Sequence, residues 1–136
     1  MNSQRRKFLG IFLHMTLIIK SLQQEVKNMK VERVENMCGG KGHVIIKHIL
    51  GEKELNGKCG LYAEVTIEPG CTLGYHEHHG ESETYYILSG QGEYDDNGTK
   101  RTLKAGDVTH TPDGCGHALV NTGDTNLVFM ALIILG

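Results

Sequence analysis

Residues 70–90 read GCTLGYHEHHGESETYYILSG, and this stretch decides how the chain folds. His76 and His78 are two residues apart, so in a strand both imidazoles point to the same face. A short loop through Gly80 lets Glu83 enter the next strand and reach the same point. Two imidazole nitrogens and one carboxylate oxygen form a ligand set for a divalent transition metal such as Mn, Fe, Co, Ni or Zn.

The residues that flank this histidine cluster do not have the composition of a solvated surface loop. Glu83 opens the run ETYYILSG, which is rich in aromatic and β-branched residues and ends at Gly90. This pattern predicts a buried or half-buried strand with a carboxylate near its start. An ionised carboxylate inside a protein needs a partner, and a metal held by the nearby histidines would supply one.

A second stretch lies about thirty residues further on. Residues 106–121 read GDVTHTPDGCGHALVN, which predicts a short strand, a turn at Pro112 and Asp113-Gly114, and a second strand headed by His117. If His117 reaches the same metal, the ligand set becomes three nitrogens and one oxygen. A six-coordinate ion would then keep two free positions.

Both stretches resemble the sequence motifs of the cupin superfamily. The motif positions are occupied by Gly70, His76, His78, Glu83 and Gly90 in the first stretch, and by Gly106, Pro112, Gly114, His117 and Asn121 in the second. The similarity spans residues 31–135 and is greatest to small single-domain bacterial metallocupins, including oxalate-decarboxylase-like proteins. The resemblance implies an all-β fold, a single antiparallel jelly-roll barrel, with His76, His78, Glu83 and His117 as metal ligands.

Length and composition agree with one small β domain. The chain has 136 residues, 18 of them glycine, and a net charge of −2, which argues against a nucleic-acid footprint. The four cysteines have no C-x-x-C spacing and are expected to be free thiols. A disulfide between Cys71 and Cys115 is the alternative. We expect a cytoplasmic protein with a cupin domain over residues 29–136.

Residues 1–28 are interpreted as an N-terminal extension. Its apolar run, residues 8–19, has the length of the hydrophobic part of a signal peptide but is too short to span a membrane, and no small-x-small cleavage site follows it. Residues 24–29 can also be back-translated as a ribosome-binding site followed by a start codon. The extension is therefore either a mis-assigned start or a signal-like segment.

The sequence predicts several other strands. Residues 61–68 alternate with period two, with Leu61, Ala63, Val65 and Ile67 as the core face, and Asn97-Gly98 predicts a tight hairpin. Residues 127–135 carry no polar side chain. A strand this apolar is expected to be covered on both faces, which together with the family resemblance predicts a homodimer.

Strand periodicity also suggests what lines the site. Glu83 and Tyr85 share one face, as do His117 and Leu119, which predicts a mostly apolar pocket with one phenolic hydroxyl. Tyr85 and His110 are the candidate catalytic residues, as general bases. His110 could either line the pocket or face outward.

The function cannot be chosen from the fold. An ion with two free positions suits dioxygenase-like or oxidative chemistry on a small molecule, with one Mn or Fe per chain favoured over Zn, Ni or Co. The alternatives are a non-catalytic small-molecule-binding module, an isomerase, or an oxalate decarboxylase. The last is disfavoured because no arginine lies near His76 to hold a second carboxylate. We expect neither nucleic-acid nor membrane partners.

Overall fold

The computed structural model describes residues 3–27 and 29–136, and over these residues it contains ten β-strands and two α-helices. The helices are α1 (Ser3–Lys27) and α2 (Glu52–Leu55). The strands are β1 (Val31–Glu35), β2 (His43–His48), β3 (Cys59–Ile67), β4 (Thr72–Glu77), β5 (Glu81–Ser89), β6 (Gln91–Asp96), β7 (Thr99–Lys104), β8 (Val108–Thr111), β9 (Gly116–Asn121) and β10 (Leu127–Leu135).

The strands form two antiparallel sheets. The larger sheet has six strands in the order β1-β2-β3-β10-β5-β8, and the smaller has four in the order β4-β9-β6-β7. Strands that are distant in sequence are therefore neighbours. For example, β10 pairs with β3 from Leu127, opposite Ile67, to Ile133, opposite Leu61. This arrangement confirms the predicted all-β jelly-roll barrel, with β1 at an edge of the larger sheet.

The core fills the space between the two sheets. Alternate residues of β3 are buried, with Ala63 and Ile67 fully so, and this confirms the predicted inward face of that strand. The smaller sheet contributes Tyr94, Leu103 and Leu119, none of which is exposed. Burial of large apolar side chains from both sheets is the main force that holds the barrel closed.

The hairpin between β6 and β7 turns at Asn97 and Gly98, as the sequence predicts. Both residues have positive φ, 51° and 98° respectively, which is the combination that a type I′ turn requires. Asp95 accepts a hydrogen bond from the Gly98 amide at 2.7 Å. The turn fixes the pairing of β6 with β7 and so positions Tyr94 in the core.

The last strand is buried on one face only within the single chain. In β10, Leu127, Phe129 and Ala131 face the core and are buried, while Val128 and Met130 on the other face are half-buried. The expectation that both faces are covered is therefore not met by this chain alone. The predicted homodimer stays a prediction.

Helix α1 precedes the barrel. Its described side chains are exposed almost throughout, including Phe8 at 74% and Phe12 at 65%. No helix in the described part of the chain is both long enough and apolar enough to cross a bilayer. Residues 1, 2 and 28 lie outside the described residues, and the boundary between an extension and a cupin domain at residue 28 stays a prediction.

Candidate metal centre

Three strands from the two sheets bring the four predicted ligands together. His76 lies in β4 and pairs in register with His117 of β9, so both imidazoles leave the smaller sheet side by side. His78 follows the end of β4, and the chain then turns at Gly80, where φ is +75°. Glu83 is the third residue of β5 and enters from the larger sheet. The centre therefore spans the interior between the sheets.

The ligand atoms converge on one point. His117 Nε2 lies 2.9 Å from Glu83 Oε2 and 3.0 Å from Nε2 of both His76 and His78. Glu83 Oε2 lies 2.9 Å from His78 Nε2 and 3.6 Å from His76 Nε2. Adjacent ligands of a six-coordinate ion with bonds of about 2.1 Å are about 3.0 Å apart. This His/Glu group could therefore bind one metal ion.

Each imidazole is oriented by a partner on its other nitrogen. His76 Nδ1–H donates to the Gly74 carbonyl at 2.9 Å, and His78 Nδ1–H donates to Glu81 Oε1 at 2.8 Å. Because a carbonyl and a carboxylate only accept, both Nδ1 atoms carry the hydrogen and both Nε2 lone pairs face the centre. Such outer partners are typical of histidines that bind metals.

The third imidazole is held by two hydroxyls. His117 Nδ1 lies 2.8 Å from both Tyr94 Oη and Thr111 Oγ1, which are 2.9 Å from each other. Tyr94 and His117 are completely buried and Thr111 is 1% exposed. This network lies in the core and fixes the ring plane of His117, so that its Nε2 points at Glu83.

The electrostatics of the centre favour charged Glu83 and neutral His117. Burial alone would raise the pKa of the Glu83 carboxyl, but its close contacts with the His117 and His76 imidazoles lower that pKa to about 2. Burial lowers the pKa of His117. Burial also opposes a charge on His76, but its contacts with Glu83 and the Gly74 carbonyl outweigh that effect and raise its pKa. A proton on His76 therefore competes with a metal for this site.

Tyr85 lies beside the ligands but is poorly suited to act as a base. Its ring is 2% exposed, and its hydroxyl donates to Glu83 Oε2 at 3.2 Å and lies 3.4 Å from His117 Nε2. Burial, and then the charge on Glu83, raise the pKa of Tyr85 well above its ordinary value. The hydroxyl stays protonated at neutral pH, so it is a hydrogen-bond donor in the site.

His110 does not reach the centre. In β8 it is Thr109 and Thr111 that face inward, and His110 is exposed on the outer face with its Nδ1 3.0 Å from Thr84 Oγ1. Of the two orientations left open by the sequence, His110 has the outward one, because strand parity turns its side chain away from the pocket.

A cavity of about 250 Å³ opens beside the ligand atoms. Most of its wall is apolar and comes from both sheets, with Ile46, Val65, Leu73, Phe129 and Ala131 among the buried contributors. Glu77 and Glu81 also line it, and no lysine or arginine among the described residues does. The predicted apolar wall is thus present.

A single 3₁₀ turn, Met37–Gly39, contributes Met37 and Cys38 to the wall of this cavity. Cys38 has a left-handed backbone (φ 53°, ψ 31°), and its carbonyl packs so closely on Gly74 that a Cβ at position 74 would collide with the oxygen. Glycine at position 74 is therefore required for this close packing of the turn.

A larger hollow of about 850 Å³ lies along the connection between β2 and β3. Its wall includes Ile49, Leu55 and Leu135, together with Glu52 and Glu54. None of the four convergent ligands lines it. The smaller cavity is the candidate site because His76, His78 and Glu83 line it.

Sequence reasoning missed three residues that orient the ligands, namely Glu81, Tyr94 and Thr111. The Glu81 carboxylate is only partly exposed and holds His78. Strand alternation could have placed Tyr94 with Gly92, and Thr111 with Thr109, on shared faces. His79, in contrast, is exposed and pairs with Glu77 at 3.0 Å.

Comparison with known proteins identifies the family. The cupin domain model matches residues 63–133, which include all four convergent side chains. The chain belongs to the cupin family. An oxalate-binding protein of Thermotoga maritima is 47% identical over 104 residues, which cover 76% of this cupin and 86% of the relative.

Two further cupins are informative. The crystal structure of a protein described as a predicted oxalate decarboxylase from Thermotoga maritima is similar with a TM-score of 0.77 and 44% identity, over 82% of this chain and 96% of that chain. Oxalate decarboxylase OxdC of Bacillus subtilis is 37% identical over 75 residues, or 52% of this chain but only 20% of the enzyme. These matches confirm the resemblance to small oxalate-decarboxylase-like cupins.

Proposed function

We propose that His76, His78, Glu83 and His117 bind one divalent transition metal, with Mn²⁺ or Fe²⁺ favoured over Zn²⁺, Ni²⁺ or Co²⁺. The supporting observation is that two of the three imidazoles have their Nδ1–H committed to an acceptor, which leaves their Nε2 lone pairs facing the centre. Spacings near 3.0 Å suit a six-coordinate ion better than a tetrahedral one.

The function that follows is metal-dependent binding of a small chelating carboxylate. Four protein ligands leave two positions on a six-coordinate ion, and a chelating ligand fills two. The bound ion would act as a Lewis acid with a residual charge of +1 beside Glu83. The 47% identity to an oxalate-binding protein supports a ligand of this class. Tyr85 Oη–H, which donates to Glu83, would hold that carboxylate in place beside the ligand.

The experiment combines metal analysis with calorimetry. Protein purified without a metal-binding tag is expected to bind about one Mn²⁺ per chain, and to bind oxalate or 2-oxo acids only when metal is present. His78→Ala should lose most of the metal, whereas His79→Ala, which changes an exposed neighbour, should keep it. Equal metal content in the two variants would refute the ligand assignment.

Oxidation of the bound carboxylate by O₂ is a second candidate function. It is favoured because the other reactions need groups that the described residues do not place in the cavity. An isomerase needs a base, yet Tyr85 is protonated and His110 faces outward. A decarboxylase of oxalate needs a cation for the second carboxylate. Substrate-dependent O₂ uptake by the Mn²⁺ or Fe²⁺ form is expected, and its absence with every bound ligand would leave the protein a binding module.

We also propose that the chain forms a homodimer through the outer face of its larger sheet. Tyr86, Leu88 and Val108 on this sheet are 48%, 42% and 57% exposed, and Met130 pairs with Tyr86. A second copy would cover this apolar patch. Light scattering after size exclusion should give a dimer that Tyr86→Glu converts to monomer. Tyr75→Glu, at an exposed aromatic residue of the smaller sheet, should leave the dimer intact, and a monomeric wild type would refute the proposal.

The proposed location is the cytoplasm. All four cysteines are free thiols, Cys71 and Cys115 included, which suits a reducing compartment. Fractionation of cells that express the full chain should recover it with cytoplasmic markers. Recovery with periplasmic or membrane fractions would contradict the proposal.

A further inference from the structure

The wall of the cavity is poorly suited to an oxalate ligand. An oxalate that chelates through one oxygen of each carboxylate turns its two remaining oxygens away from the metal and into the cavity. There the wall consists largely of buried carbon, from Ile46, Val65, Leu73 and Phe129. Carboxylate oxygens that lose water without gaining donors are unfavourable. The Tyr85 hydroxyl already donates its one hydrogen to Glu83 and adds no free donor for them.

The charge of the site points the same way. A divalent ion and ionised Glu83 leave +1, which a monoanion neutralises and a dianion turns to −1. Glu77 and Glu81 add negative charge to the lining, and the described residues bring no lysine or arginine into the wall. Beside a mostly apolar wall, an uncompensated charge is strongly disfavoured.

The volume of the cavity also exceeds what the chelating group needs. About 250 Å³ corresponds to roughly eight water molecules at ~30 Å³ each, and the two donor atoms and their carbons fill only part of it. The remaining space lies against apolar side chains. It suits an alkyl group, whose transfer from water to this wall is favourable.

We propose that the ligand of this site is a monoanionic 2-oxo or 2-hydroxy carboxylate with an apolar side chain of about three to five carbons, rather than oxalate. The carboxylate and the 2-oxygen chelate the metal, and the alkyl group lies against Val65, Phe129 and Ala131. This inference rests on the proposed function, because it requires that the four ligands hold a metal.

The test is calorimetry of a ligand series on the Mn²⁺-loaded full chain. The series is oxalate, 2-oxopropanoate, 2-oxobutanoate, 2-oxopentanoate, 4-methyl-2-oxopentanoate and its 2-hydroxy analogue. Affinity is expected to rise about fourfold for each methylene buried, and oxalate should bind at least tenfold more weakly than the best 2-oxo acid. The 2-hydroxy acid shows which of the two oxygenated forms is preferred.

One variant tests whether this cavity causes the preference. Ala131 is 1% exposed and lines the wall, so Ala131→Val should weaken binding of 4-methyl-2-oxopentanoate at least tenfold and change that of 2-oxopropanoate less than threefold. Ala105→Val, in the exposed turn between β7 and β8, is the control. A thermal melt verifies that both variants fold. The result of the ligand series on the wild-type protein does not depend on either variant.

The outcomes separate the two proposals. If oxalate binds most tightly, or if affinity does not depend on the length of the ligand's alkyl group, this inference is overturned. Metal-dependent carboxylate binding would then remain. If no member of the series binds to the Mn²⁺-loaded protein, or if Mn²⁺ itself does not bind, the proposed function fails and this inference fails with it.

Discussion

The carboxylate of Glu81 is expected to tune metal affinity although it is not a ligand. It accepts the Nδ1–H of His78 at 2.8 Å, and its side chain is 29% exposed. A hydrogen bond to a charged group contributes about 1.5–3 kcal/mol, and partial exposure reduces this to about 1–2 kcal/mol. Glu81→Gln should therefore weaken Mn²⁺ binding by roughly 5–30-fold, toward the lower part of the range for such outer partners.

The matched control is Glu77→Gln. Glu77 also lines the cavity and also pairs with a histidine, but that histidine is the exposed His79, which is not one of the four convergent side chains. Both variants remove one negative charge from the cavity lining, so the general electrostatic effect on a cation is shared. Competition against a fluorescent chelator at constant pH measures both affinities. If Glu77→Gln weakens Mn²⁺ binding as much as Glu81→Gln does, orientation of His78 is not the cause.

Three further perturbations follow from the structure. Mn²⁺ affinity should fall by up to tenfold per pH unit as the pH drops through the raised pKa of His76, because protonation removes a candidate ligand. An Mn²⁺ affinity that calorimetry finds unchanged from pH 8 to 5 would contradict this. Mn²⁺ at 100-fold its Kd should raise Tm by about 10 °C relative to EDTA, measured by differential scanning fluorimetry. Gly74→Ala should lower the free energy of unfolding by about 1–3 kcal/mol, since its Cβ would meet Cys38; a urea midpoint equal to wild type would refute it.

The convergence of the candidate ligands was predictable in part, because period-two spacing and turn residues carry the information. His76 and His78 share a face by parity, and the positive φ of Gly80 marks the turn that returns Glu83 to the same point. The pairing of His76 with His117 bridges 41 residues, and no local rule supplies it. It was predicted only because the second motif resembles that of cupins.

The outer partners could not be predicted as readily. Glu81 is adjacent to Gly80, and whether its side chain returns to His78 depends on the turn geometry and not on sequence spacing. In β8, the apolar Val108 shares a face with His110, so hydrophobicity could not indicate that the other face, with Thr109 and Thr111, is the inward one. Contact of Thr111 with Tyr94 then joins the two sheets, which depends on the closed barrel.

The candidate centre is organised by the fold before any ion binds. A metal here would connect the smaller sheet, which carries His76 and His117, to the larger sheet, which carries Glu83. The core between these sheets, however, is closed independently by fully buried Leu119 and Phe129. Because the imidazoles are already oriented by protein partners, folding and not metal binding supplies the ordering of the ligands. Little reorganisation should accompany metal exchange, so the choice among divalent ions depends on donor type and metal supply.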